Sequence, residues 1–142
     1  MEKAKLIEEI ENILAVSKVG VMSTAFNDVP NSRYMIFYND EHTLYTKTDK
    51  TSLKVEEIKD NPLTHILLGY EETSNQSFLE IMGKVEVVEN TETIDWLWQN
   101  QDKTYFDSEA DPELTVIKIT PERIKIMNDD NVDTPEFVDF TE

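Results

Sequence analysis

A mainly antiparallel β-barrel in an α+β setting is the fold class that the sequence predicts, and three observations predict it. Short runs rich in Val, Ile, Leu, Phe and Tyr recur along the 142 residues. Segments of hairpin length with turn chemistry join most of them. Brief stretches of helical periodicity are interleaved without the regular strand-helix alternation of a parallel sheet.

Leu6, Ile7, Ile10, Ile13 and Leu14 recur at helical spacing among Glu and Lys, which predicts an amphipathic helix over 2–15 lying against a sheet. Residues 16–26 and 32–38 are β-branched or aromatic, and Asn27-Asp28-Val29-Pro30 between them supplies a turn, so the pair reads as a hairpin. After Asn39-Asp40 a third strand runs from Thr43 to Thr48. Leu53, Val55 and Ile58 then mark a short helix that must end before Pro62, because a residue preceding proline is pushed out of the α region. Strands resume over 63–70 and 77–88, and Gly83 inside the second predicts a bulge or a close backbone approach. Asn90 or Thr91 caps a further helix with Ile94, Leu97 and Trp98 on one face. Residues 115–119 alternate, Thr120-Pro121-Glu122-Arg123 reads as a turn, and 124–127 as a last short strand. The domain spans 1–128. The remainder, 129–142, with six acidic residues and no basic one, reads as a solvated or loosely docked tail.

Charge narrows the function. With 13 basic against 30 acidic residues the formal net charge is -17, which repels phosphodiester backbones and anionic membranes, so neither nucleic acid nor membrane is an expected partner. The absence of cysteine excludes disulfides and thiolate chemistry. Met1 to Ser17 carries charges throughout and reads as neither signal peptide nor membrane span, so a cytoplasmic location is expected. His42 in a turn and His65 in an apolar strand stand at no metal-ligand spacing; structural roles are expected for both, and no metal is predicted. Three scattered glycines form no phosphate loop.

One segment runs against this background. Thr46-Lys47-Thr48-Asp49-Lys50-Thr51-Ser52-Leu53-Lys54 holds three lysines, four hydroxyls and a single acid where a strand gives way to a helix. Free N–H groups at a helix start suit a phosphate, and a lysine in the first helical turn faces the wrong end of the helix dipole unless an anion is bound. An ordinary N-cap at Thr51 or Ser52 flanked by solubilising lysines is the alternative.

Three motifs carry a family resemblance: Ser32-Arg33-Tyr34-Met35 on the second strand, Thr48-x-x-x-Ser52-x-Lys54 before the helix ending Asn61-Pro62, and Ile81-Met82-Gly83-Lys84-Val85-Glu86 on a later strand. In order and spacing the chain resembles the pyridoxamine-phosphate-oxidase-like flavin-binding split barrels, most closely their general-stress-protein branch. The resemblance implies a split β-barrel of about six antiparallel strands with short flanking helices. It also implies FMN as cofactor and a homodimer with flavin at the subunit interface. Thr48, Ser52 and Lys54 would hold the phosphate, and Arg33, Tyr34 and Met35 would contact ring or phosphate. Lys47 and Lys50 are weaker candidates. Late aromatics, Trp96, Trp98, Tyr105 and Phe106, would be core, dimer interface or a cover for the ring. The implied activity is that of a flavin-dependent oxidoreductase acting on an unidentified small molecule. The alternative is a non-catalytic module for flavin or another phosphorylated small molecule. The vitamin oxidases carry a substrate-gripping lysine near the position of Tyr38 and a Tyr, Arg and Ser cluster without counterpart here, so pyridoxamine-phosphate oxidation is not expected. Met127 stands where many relatives have a tryptophan.

Overall fold

The computed structural model describes residues 2–49, 55–74, 76–100 and 114–141. One eight-stranded antiparallel sheet curls into a split barrel: β1 (Val19–Phe26), β2 (Val29–Ile36), β3 (Tyr38–Asp40), β4 (Thr43–Asp49), β5 (Leu63–Leu68), β6 (Phe78–Val87), β7 (Leu114–Met127) and β8 (Glu136–Asp139). Helices α1 (Lys3–Val16), α2 (Val55–Asp60) and α3 (Thr91–Asn100) flank it. The strand order is β2-β1-β5-β6-β7-β4-β3, with β8 paired to β7. Strands β2 and β3 therefore stand at opposite ends of the order while Phe37 alone separates them along the chain. Phe37 is buried, and its N–H donates to the Lys18 carbonyl at 2.7 Å.

Alternation builds the core. Met22 on β1, Ile66 and Leu68 on β5, Leu79, Ile81 and Val85 on β6, and Ile117, Ile119, Ile124 and Ile126 on β7 face inward. Leu6, Ile10, Ile13 and Leu14 of α1 pack on this cluster. Each such side chain contributes about 1.5–3 kcal/mol by leaving water. Lys18 Nζ donates to the Leu14 carbonyl at 3.0 Å, satisfying a free acceptor in the last turn of α1.

Three expectations are revised. The first hairpin turns on two residues, Asn27 and Asp28, both with positive φ (51° and 64°), and Phe26 pairs with Val29. This I′-like turn matches strand twist, so β2 begins earlier than the proline suggested. Second, Thr120 to Arg123 makes no turn: β7 runs on from Leu114 to Met127 with Glu122 as an extra residue, since Met82 pairs with Arg123 and Gly83 with Pro121. Gly83 accordingly shows both features expected of it. A Cβ there would lie 2.6 Å from the Thr120 carbonyl, and the bulge absorbs the missing N–H of Pro121. Third, the acidic C-terminal segment is docked. β8 pairs with β7, Val132 and Val138 are buried, and the Phe140 N–H donates to the bulged Glu122 carbonyl at 2.8 Å. Val138, paired with Ile124, and Val132 ahead of the strand are buried despite the surrounding charges. Among the described residues no helix is long and apolar enough to cross a membrane.

Candidate functional site

Pairing of β2 with β1 sets Arg33 opposite Met22 and Met35 opposite Gly20, so both point to the inner face, where an unbroken barrel would carry aliphatic residues. Met35 is buried there. The half-buried Arg33 guanidinium donates from Nη2 to Thr24 Oγ1 at 3.1 Å, while Nη1 is buried and has no hydrogen-bond partner among the described residues. Burial lowers the Arg33 pKa from its ordinary value, and the Glu57 carboxylate on α2 opposes that shift. A guanidinium remains charged under such a perturbation, so the site presents a fixed cation with donor capacity to spare.

Strand β4 supplies the facing wall. Leu44, Thr46 and Thr48 alternate inward and are all buried. Thr46 Oγ1 donates to the Ile36 carbonyl at 2.6 Å, a side-chain bond across the seam between β2 and β4. Thr48 stands opposite Thr115 of β7, which is also buried, so hydroxyls line this end of the barrel. The predicted phosphate ligands Ser52 and Lys54, together with Lys50, lie outside the described residues, as do Tyr105 and Phe106. Helix α2 follows at once. Its end is fixed by Asn61, which donates from Nδ2 to the Ala25 carbonyl at 3.2 Å and accepts from the Leu63 N–H at 3.2 Å.

The structure sets Arg33, Met35 and Thr48 facing inward and separates Tyr34 from them: paired with Val21, its side chain lies on the outer face of β2, highly exposed. On the outside of β4, Trp96 of α3 meets Tyr45 edge-on with centroids 5.2 Å apart, and Lys47 Nζ lies 5.8 Å from the Trp98 ring. Lys47 is thereby engaged away from the inner face. Met127 ends β7 opposite Phe78, whose ring meets Tyr70 edge-on at 5.3 Å. His65 pairs with Glu80 at 3.9 Å on the outer surface.

Two contributors escaped the sequence reading. Thr24, which holds Arg33, was findable: a two-residue turn at Asn27-Asp28 fixes the pairing of Thr24 with Asn31, diagonal to Arg33. Thr115 left no comparable local signal, because its place beside Thr48 depends on a pairing across more than sixty residues.

A family model described as "Pyridoxamine 5'-phosphate oxidase" matches residues 6–128. General stress protein 26 of Bacillus subtilis (strain 168) is 37% identical over 129 residues, covering 90% of this chain and 92% of that protein. The crystal structure of General Stress Protein 26 from Bacillus anthracis str. Sterne superposes with a TM-score of 0.80 at 32% identity, covering 95% of this chain and 98% of that one. A Clostridium acetobutylicum protein described as related to general stress protein 26 shares the fold, with a TM-score of 0.76 at 19% identity over 98% of this chain and 96% of that one.

Proposed function

The chain belongs to the pyridoxamine 5'-phosphate oxidase family, and on that premise we propose that it is an FMN-binding protein of the general-stress-protein branch, acting as a flavin-dependent oxidoreductase on a small molecule. The observation that carries the reading is Arg33 Nη1, a buried cationic donor without a partner among the described residues, on a side chain that β2 turns to the inner face of the barrel. A phosphate would satisfy it by a charge-assisted hydrogen bond.

In this reading Arg33, Thr48, Ser52 and Lys54 hold the phosphate, with Ser52 and Lys54 assigned by the motif. Met35 lies against the ring, and Tyr34 meets it through backbone or from the neighbouring subunit. Bound flavin supplies hydride and single-electron transfer; the chain supplies anchoring, orientation and exclusion of water. The homodimer reading is supported by the outer face of β1 and β2. There Val19 and Ile36, paired with each other, and Tyr34, paired with Val21, are exposed side by side, an apolar surface of the kind that subunit contacts cover. Met127, at the position where relatives carry tryptophan, favours a second reading: a module that binds flavin or another phosphorylated small molecule without turnover.

The test is the absorbance spectrum of the protein, purified without added cofactor and again after FMN is supplied and free flavin removed by gel filtration. A two-band, protein-bound flavin spectrum at dimer size is expected. A colourless protein that refuses FMN overturns the proposal. Flavin that binds but is not reduced by nicotinamide donors or other reductants moves the reading to the module. Lys54→Ala is expected to weaken FMN binding by about 1.5–3 kcal/mol with the fold intact, measured by fluorescence titration.

A further inference from the structure

Strand β4 has a second chemical end. Where β3 turns into β4, Glu41 and His42 meet Glu11 of α1, and one ligand atom from each of the three lies within 4.8 Å of the others. The groups are held from several sides. Glu41 sits at φ 54°, with Asn39 Nδ2 donating to its carbonyl at 2.8 Å. The His42 ring stacks on Phe140 with centroids 4.3 Å apart and planes 16° from parallel. His42 Nδ1 is buried and has no hydrogen-bond partner among the described residues. Neither Glu11 nor Glu41 has an ion-pair partner there either, since the ion pairs found are His65 with Glu80, Lys84 with Glu122 and Lys118 with Glu86. Stacking on Phe140 accounts for the plane of the imidazole. It does not account for the half-buried Glu11 and exposed Glu41 carboxylates beside it, neither ion-paired among the described residues.

We propose that Glu11, Glu41 and His42 form a binding site for a divalent transition-metal ion of the Zn²⁺ class. One imidazole with two carboxylates favours a borderline ion over Ca²⁺ or Mg²⁺, which take oxygen ligands alone, and the two carboxylates neutralise its charge. Bonds of about 2.0–2.2 Å bring ligand atoms to about 3.5 Å from one another, so the present spread closes by small rotations of the two glutamates. Three protein ligands leave a fourth position for water. The sequence reading set His42 aside because its ligand partners show no motif spacing; they arrive from a helix and a turn thirty residues apart. Thr48 is six residues along β4 from His42, about 20 Å in an extended strand, so this site is independent of the flavin reading.

The experiment is calorimetric titration of the full chain with ZnCl₂ after treatment with EDTA and dialysis, in excess Ca²⁺ to occupy weak acidic sites. One tight equivalent per chain is expected. Glu11→Gln and His42→Gln are each expected to weaken it by about tenfold or more, and His65→Gln to leave it unchanged. Zn²⁺ should also raise the Tm of the wild type and not that of Glu11→Gln. Absence of a tight equivalent, its full displacement by Ca²⁺, or undiminished binding in Glu11→Gln overturns the proposal. Glu11 is half-buried and is none of the core residues of α1, so this variant decides the matter even if His42→Gln disturbs the stack on Phe140.

Discussion

The inner face of β6 and the inner faces of β2 and β4 belong to the same barrel yet are composed differently. On β6 the inward positions are Leu79, Ile81 and Val85, all buried and aliphatic. Across the seam they are Arg33 and Met35 on one side and Leu44, Thr46 and Thr48 on the other. The first set answers only to packing. The second keeps polar groups inward, a costly arrangement unless something polar meets them, and it teaches that one wall of the barrel is an aliphatic core while the other carries the polar groups on which the proposed site rests.

The sharpest way to break that division is Ile81→Ala, expected to lower unfolding free energy by about 2–5 kcal/mol in urea titrations while the flavin bound per folded molecule stays unchanged. Arg33→Met reverses the pattern: FMN affinity should fall by about 1.5–3 kcal/mol, with stability altered by no more than about 0.5 kcal/mol. If both variants lose stability alike, the two walls are not distinct. Thr46→Val tests the bond across the seam; leaving the Ile36 carbonyl unsatisfied should cost about 1 kcal/mol in stability and loosen flavin without abolishing its binding.

The smallest effect lies outside both walls. Burial first, and the Asp129 charge second, raise the Glu9 pKa above its ordinary value. A carboxyl raised in the folded state favours folding while protonated, and that contribution is lost as pH rises through the folded value. Glu9→Gln should therefore be slightly more stable than the wild type near neutral pH, with the difference vanishing in acid, as urea midpoints at the two pH values would show.

Much of this was legible in the sequence, for reasons that differ by element. Helix α1 announced itself by periodicity, Asn90 by capping chemistry that the structure confirms through its bonds to the Glu92 and Thr93 N–H groups, and Gly83 by standing inside a strand. The curl of the sheet into a split barrel followed from the family motifs. What stayed hidden depends on distant pairing. The Thr120 to Arg123 segment has local turn chemistry, but ten register pairs with β6 hold it extended. The C-terminal acids mask Val132 and Val138, whose burial no local pattern foretells. Of the proposed site, Arg33 was marked by its motif Ser32-Arg33-Tyr34-Met35, whereas the seam itself, made by Thr46 and the Ile36 carbonyl, is a contact that only the closed sheet creates.

Phe37 carries the last consequence. Because the strands on either side of it terminate the sheet at both ends, a single residue of covalent chain joins the two lips of the barrel. At that end the lips cannot part, and the Thr46 hydroxyl latches them a few ångströms further on. Beyond the latch no ladder of backbone bonds ties β2 to β4 among the described residues. The barrel is built like a clothes-peg: its spring is a buried phenylalanine, its jaws carry the polar inward positions, and the aliphatic core lies behind them.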